Sequence, residues 1–179
     1  NEDVLATIDC LRALGAKINV SNNTVIVEPD EFMLKTSGTL NCRESGSTLR
    51  FFIPLALCLG KEVAFIGSNR LFQRPLDVYE KICSHNGFKF DNNNGSLSVC
   101  GKLKSGEYEV KGDISSQFIS GLLFALPLLD GDSTVNITTN LESAGYIDIT
   151  LDTLKTFGIV IIRNENSFFV KGNQKYQPQ

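Results

Sequence analysis

Val4-Leu5-Ala6-Thr7-Ile8-Asp9-Cys10-Leu11-Arg12-Ala13-Leu14-Gly15, followed by residues 16–20, Asn22-Asn23 and Val25-Ile26-Val27, is a phrase the chain uses three times. It reads as an amphipathic helix, a glycine, a short strand, an asparagine-rich turn and a second strand. The second copy has residues 76–86, Gly87, residues 88–90, Asn92-Asn93-Asn94 and Leu97-Ser98-Val99. The third has residues 147–157, Gly158, residues 159–162, residues 164–166 and Phe168-Phe169-Val170. The three glycines stand 72 and 71 residues apart, and so do Val27, Val99 and Val170. Two landmarks in one register define a repeated unit of about 71 residues. Each glycine suits a helix end, where the chain must turn left-handed at little steric cost. Asparagine tolerates the positive φ of the hairpin turns that follow.

Between these phrases lie two longer apolar helices, expected at about residues 47–59 and 116–129. Each follows a Ser-Gly pair (Ser37-Gly38, Ser105-Gly106) and a short strand, at residues 39–42 and 108–111. Strands at residues 63–66 and 134–138 come after them. Pro54 and Pro127 should kink these helices or end them early, since proline donates no backbone hydrogen bond. The whole unit therefore reads strand, helix, strand, helix, strand, strand. The fold class is α/β (α+β), built of repeated βαβαββ units. One domain is expected, with residues 1–36 as the second half of a first unit, 37–104 as a second unit and 105–179 as a third. The opening copy has no first half here, so a piece of a longer protein is expected.

Composition narrows the functional classes. The 179 residues are 42% hydrophobic and 21% charged, with a net charge of −3. That is a globular domain, and it excludes a disordered tail, a collagen-like fibre and a small disulfide scaffold. No apolar run reaches the ~18 residues needed to cross a bilayer, so no membrane partner is expected. A negative chain argues against a nucleic-acid partner, because a phosphate backbone requires a basic face. Cys10, Cys42, Cys58, Cys83 and Cys100 are odd in number, widely spaced and without a Cys-x-x-Cys pair. They read as structural thiols of a cytoplasmic protein.

Chemistry is suggested where small polar residues lead into the apolar helices, at residues 42–50 and 112–118. Helix N-terminal amides joined by serine hydroxyls form a seat for phosphate or carboxylate. The same serines, Ser45, Ser47, Ser115 and Ser116, equally serve as N-caps. Arg74 precedes Pro75 at the expected start of a helix, where a cation opposes the dipole; either a bound anion or plain solvation accounts for it. Arg50, one turn inside its helix, reads as a structural salt-bridge partner. Ser143 and Tyr146 occupy the corresponding loop of the later unit. His85 reads as a solvent-facing helix end, and Asp148 with Asp152 as a solvated helix face. There is no zinc spacing, Walker loop, dinucleotide fingerprint or Gly-x-Ser-x-Gly elbow.

Glu44-Ser45-Gly46-Ser47-Thr48-Leu49-Arg50, Gln73-Arg74-Pro75-Leu76, Ser115-Ser116-Gln117-Phe118 and Tyr146-Ile147-Asp148-Ile149-Thr150-Leu151 together resemble the 5-enolpyruvylshikimate-3-phosphate (EPSP) synthase family. The order and spacing match over essentially the whole chain. The resemblance implies one of two domains, each of three βαβαββ units around a pseudo-threefold axis, in an inside-out α/β barrel. It implies transfer of the carboxyvinyl group of phosphoenolpyruvate to the 5-hydroxyl of shikimate-3-phosphate, with release of phosphate and with no metal or organic cofactor. By position, Ser115, Ser116, Gln117, Ser143 and Tyr146 would meet shikimate-3-phosphate, and Gly46, Arg74 and Gln117 phosphoenolpyruvate. Glyphosate, the family's inhibitor, would compete at the second of these places. The chain departs at Glu44, where the family commonly has Asn. The family's N-terminal Lys-Ser…Arg segment and the acid/base groups of the partner domain have no counterpart in these 179 residues. No catalytic residue is therefore assigned, and the isolated chain is expected to be inactive. Two alternatives share the repeat: a UDP-N-acetylglucosamine enolpyruvyl transferase domain, and a non-catalytic RNA-binding module.

Overall fold

A computed structural model describes residues 1–22, 24–28, 38–93 and 95–178. Asn23 and Asn94 of the expected turns, Ser37, and the expected unit boundary at residues 36/37 lie outside the described residues. Helix α1 (Glu2–Ala13) leads into a hairpin of β1 (Ile18–Ser21) and β2 (Thr24–Val27). A first full unit follows, with β3 (Gly38–Arg43), α2 (Gly46–Cys58), β4 (Val63–Gly67), a single-turn α3 (Asn69–Phe72), α4 (Asp77–Asn86), β5 (Lys89–Asn93) and β6 (Ser96–Cys100). The next has β7 (Glu107–Val110), α5 (Ser116–Ala125), β8 (Ser133–Ile137), α6 (Ala144–Thr156), β9 (Ile161–Arg163) and β10 (Ser167–Val170). The two four-stranded sheets run β3-β4-β6-β5 and β7-β8-β10-β9. In each, the first pair is parallel and the other two are antiparallel.

The three periodic glycines do the same job each time. Gly15, Gly87 and Gly158 have φ of 108°, 68° and 78°. The residue after each donates to a carbonyl five positions back: Ala16 to Leu11, Phe88 to Cys83, and Ile159 to Leu154. That 6→1 closure satisfies a helix-end carbonyl and swings the chain directly into the next strand. The glycine spacing in the sequence is thus a spacing of helix ends.

Helices α2 and α5 form the interior. Nine of the thirteen residues of α2 and eight of the ten of α5 are buried. Only three of twelve in α1 and three of thirteen in α6 are buried, so those helices keep one face in solvent. α2 and α5 pack against each other, with Phe51 and Phe124 edge-to-face at 5.2 Å, and Tyr79 of α4 meets Phe118 of α5 at 5.1 Å. The backbones come close because α5 carries Gly121 at the crossing. A Cβ there would lie 2.6 Å from the Arg50 carbonyl oxygen and 2.5 Å from the Tyr79 hydroxyl.

The two prolines behave differently. Pro127 ends α5 as expected, and the chain tightens into a 3-10 turn at Leu126–Leu128. Pro54 does not end α2, which continues to Cys58. In a regular helix the residue-54 N–H would donate to the carbonyl of Arg50, and proline cannot. The Tyr79 hydroxyl replaces that donor at 2.7 Å and also reaches the Phe118 carbonyl at 3.3 Å. Tyr79 is fully buried, and burial raises its phenol pKa, so it remains a donor. One side chain from α4 therefore joins α2 to α5 at the break in α2.

The hairpin differs from its counterparts. Leu97, Val99, Phe168 and Val170 are buried, whereas Val25 and Val27, at the corresponding places in β2, are 45% and 61% exposed. The later strands are covered because β6 pairs with β4 and β10 with β8, while β2 pairs only with β1 among the described residues.

The proline account predicts coupling between two positions 25 residues apart in sequence. Tyr79→Phe leaves a buried carbonyl without a donor and should cost about 1–3 kcal/mol in urea unfolding. In a Pro54→Ala background the helix supplies its own N–H, and the same substitution should cost less than half as much. Equal costs in the two backgrounds would refute the assignment.

Candidate functional site

The N-termini of the two interior helices meet. Ser45 caps α2, its Oγ accepting from Thr48 N–H at 3.2 Å and from Thr48 Oγ1 at 2.7 Å. Ser115 caps α5, its Oγ accepting from Gln117 N–H at 3.3 Å. Each cap satisfies one N-terminal amide and leaves others of the first turn without an intrahelical acceptor. Ser45 and Ser116 are both buried, at 2% and 7% exposure, and the Ser45 hydroxyl is occupied by its cap bonds. The Ser116 hydroxyl takes no protein partner among the described residues, and neither does that of Ser143.

Gly46, the first residue of α2, sits where three side chains converge. A Cβ on Gly46 would lie 2.8 Å from Arg74 Nη1, 2.9 Å from Arg50 Nη1 and 3.8 Å from Gln117 Oε1. Arg50 Nη1 donates to Gln117 Oε1 at 3.0 Å, and Nη2 donates to the Pro75 carbonyl at 3.0 Å. Its guanidinium also lies over the Phe118 ring at 4.9 Å. Burial holds its pKa below the usual guanidinium value; Tyr79 acts against that shift, and the neighbouring Arg74 charge reinforces it. Among the described residues, neither Arg50 nor Arg74 makes an ion pair. Two cations on one glycine without a carboxylate leave the place strongly favourable to an anion.

Sequence reasoning misread two features here. Arg50 is not a salt-bridge partner: its acceptors are an amide oxygen and a backbone carbonyl. Arg74 is not in the first turn of a helix. It follows α3, its N–H donating to the Leu71 carbonyl, and stands three residues before α4 begins. The α4 dipole therefore puts little penalty on it, and the dipole gives no reason to invoke an anion. Its approach to Gly46 and Arg50 does.

The structure brings Gly46, Arg74 and Gln117 together, with Ser115 and Ser116 adjacent to Gln117 in the chain. Ser143 and Tyr146 lie at the start of α6 and reach this group only indirectly. The Ser120 and Thr150 hydroxyls are 2.7 Å apart and join α5 to α6, and Glu142 N–H donates to the Gly112 carbonyl. Ser143 has a left-handed backbone, φ 59° and ψ 36°, and makes no cap bond. Such a conformation costs a non-glycine residue energy and often marks a functional position. Tyr146 is 69% exposed. Glu44 is exposed, just before the Ser45 cap.

The other polar candidates are placed elsewhere. His85 is in the last turn of α4 and lines a cavity of about 790 Å³ with Lys81, Lys104, Glu107 and Glu109. Asp148 pairs with Arg163 at 2.6 Å. A second cavity, about 730 Å³, is apolar and lies at the far end of α2, among Leu14, Phe52, Leu55 and Leu129. Neither cavity includes a candidate site residue. The five cysteines are free. No helix among the described residues is long and apolar enough to cross a membrane.

Residues 1–179 match the family described as EPSP synthase (3-phosphoshikimate 1-carboxyvinyltransferase). The chain belongs to the EPSP synthase family. The 3-phosphoshikimate 1-carboxyvinyltransferase of Clostridium novyi (strain NT) is 48% identical over 187 residues, which cover 98% of this chain and 43% of that protein. The one from Clostridium kluyveri is 46% identical over 180 residues, covering 99% of this chain and 42% of that protein. The solved EPSP synthase of Acinetobacter baumannii shares the fold, with a TM-score of 0.76 at 21% identity over 99% of this chain and 40% of that one. The chain thus spans about two-fifths of the length of the curated relatives it matches. Membership of the EPSP synthase family favours neither the UDP-N-acetylglucosamine reading nor the RNA-binding one.

The crowding at Gly46 makes a direct prediction. Gly46→Ala forces the Arg74 tip, or the hydrogen-bonded Arg50 fork, to move. Affinity for inorganic phosphate should fall by about tenfold, the equivalent of ~1.4 kcal/mol, with the urea midpoint unchanged. Unaltered phosphate affinity in the alanine variant, measured by calorimetry, would contradict the site.

Proposed function

We propose that this chain is the shikimate-3-phosphate-binding domain of an enolpyruvyl transferase acting in the shikimate pathway towards chorismate and the aromatic amino acids. The observation that carries the reading is the convergence of Gly46, Arg74 and Gln117 at the joined N-termini of α2 and α5. The residues of the resemblance supply two distinct anion seats. Ser115, Ser116 and the first amides of α5 receive the 3-phosphate, with Gln117, and Ser143 and Tyr146 at the start of the neighbouring α6, facing the same ligand. Gly46, Arg74 and Gln117 receive phosphoenolpyruvate, the planar guanidinium fork matching two oxygens of one anion.

The reaction is addition followed by elimination. The 5-hydroxyl of shikimate-3-phosphate gives its proton to a base as its oxygen bonds to C2 of phosphoenolpyruvate, and the opening C2=C3 π pair takes a proton at C3 from an acid. The tetrahedral intermediate then loses phosphate and returns a proton from the methyl group, restoring the double bond. Binding both substrates over one short span is the positioning part of catalysis. The proton transfers require an acid/base group at the reacting carbons. None of the seat residues named above is one, so turnover is assigned to this domain together with a partner domain. Residues 1–36, 37–104 and 105–179 are proposed as the half unit and two whole units of this domain. The exposed β2 edge is where the first half of its opening unit would pair. Five free thiols agree with a cytoplasmic enzyme.

Calorimetry on the 179-residue chain tests the reading. Shikimate-3-phosphate should bind at least tenfold more tightly than shikimate, and Ser116→Ala should weaken it by roughly 10- to 150-fold, as expected for a hydrogen bond to a charged group, ~1.5–3 kcal/mol. Phosphate release with both substrates should be absent. Equal binding of shikimate and its phosphate, tighter binding of UDP-N-acetylglucosamine, or steady turnover by the isolated chain would each refute it.

A further inference from the structure

Arg50 is 8% exposed, and its Nε is buried without a hydrogen-bond partner. An arginine buried without a carboxylate is costly, so its placement calls for a reason beyond filling space. Each of its two terminal nitrogens makes one hydrogen bond: Nη1 to Gln117 Oε1, and Nη2 to the Pro75 carbonyl. The Phe118 ring below the guanidinium and the Tyr79 bond to the Arg50 carbonyl hold the side chain and its backbone in place.

This commitment has a chemical result at Gln117. A guanidinium is only a donor, so the Gln117 atom facing Arg50 has to be the oxygen. The carboxamide cannot flip without setting donor against donor. Its Nε2 is open to solvent and takes no protein partner among the described residues. The Pro75 bond acts on the next residue along, Arg74, whose Nη1 stands over the same glycine as Arg50 Nη1. We propose that Arg50 is a positioning residue, which presets Gln117 as a pure donor and fixes the Arg74-Pro75 turn, so that an anion arriving over Gly46 meets donors from both sides. The inference rests on the function proposed above for the identity of the anion, phosphoenolpyruvate. It does not rest on it for the geometry.

Arg50 acts through Gln117 and Arg74 on the phosphoenolpyruvate side. Gln117 is shared with shikimate-3-phosphate, but the main hold on that ligand, its 3-phosphate, is the seat at Ser115 and Ser116, which α5 builds without Arg50. A role confined to gluing α2 to α5 would weaken both seats together. Arg50→Lys keeps the charge and can satisfy only one of the two acceptors, so it separates these cases.

The experiment is nitrogen-15 NMR with ligand titrations on the 179-residue chain. In the unliganded wild type, the Arg50 Nη–H signals should be resolved and slow to exchange, with cross-peaks to Gln117. Averaged Arg50 signals would overturn the proposal without any variant being made. In Arg50→Lys, the Gln117 side-chain amide should shift towards its free-chain position. Phosphoenolpyruvate affinity, measured in saturating shikimate-3-phosphate, should fall about tenfold, while shikimate-3-phosphate affinity stays within about twofold. Parallel loss of both ligands, or an unmoved Gln117 amide, would overturn it. A wild type that binds neither ligand refutes the proposed function, and the Arg50 and Gln117 signals then still decide the positioning role.

Discussion

A single backbone carbonyl, that of Arg50, is the point on which the structure turns. Pro54 deprives it of its helical donor, Tyr79 replaces that donor from α4, and Gly121 gives α5 room to lie against it. A buried carbonyl without a partner costs about 1–3 kcal/mol, so the tyrosine is required once the proline is present. The same contact draws together α2, α4 and α5. Their N-terminal ends, and the turn before α4, then hold Gly46, Gln117 and Arg74 within a few ångströms of one another. Packing and site are consequences of one local defect and its repair.

The period of the fold was legible in the sequence because it is written in local chemistry. Gly15, Gly87 and Gly158 each end a helix through the same 6→1 hydrogen bond, and that requirement is met within six residues. Strand positions followed from apolar alternation for most of the strands among the described residues; β5 departs, because Asn92 and Asn93, expected in the turn, pair with Leu97 and Ser96 as strand residues. Serine caps at Ser45 and Ser115 were legible for the same reason. The single turn of α3 was not, since four residues with no periodicity give no signal. The continuation of α2 past Pro54 was also hidden, because the compensating donor is 25 residues away at Tyr79.

The site was half legible. Gly46, Arg74, Ser115, Ser116 and Gln117 could be picked out as small or polar residues at helix starts and by the family resemblance. Arg50 was misread because its partner, Gln117, lies 67 residues away and carries no charge. One signal was present nonetheless: Arg50 precedes Pro54 by four positions, which places an orphaned carbonyl at that residue. The exposed valines of β2 teach a related lesson. Their equivalents in β6 and β10 are buried, so β2 carries the sequence pattern of a buried strand although no cover for it lies among the described residues.

The central claim is that the N-termini of α2 and α5, set side by side, already form the substrate seat within this chain. The most direct measurement is a residue-resolved amide shift map of the labelled chain during titration with shikimate-3-phosphate. The account predicts saturable shifts centred on Ser115, Ser116, Gln117 and Ser143, extending to Gly46 when phosphoenolpyruvate is added. Shifts centred instead on the His85 cavity or on the apolar cavity at the far end of α2, or a flat response at millimolar ligand, would contradict it.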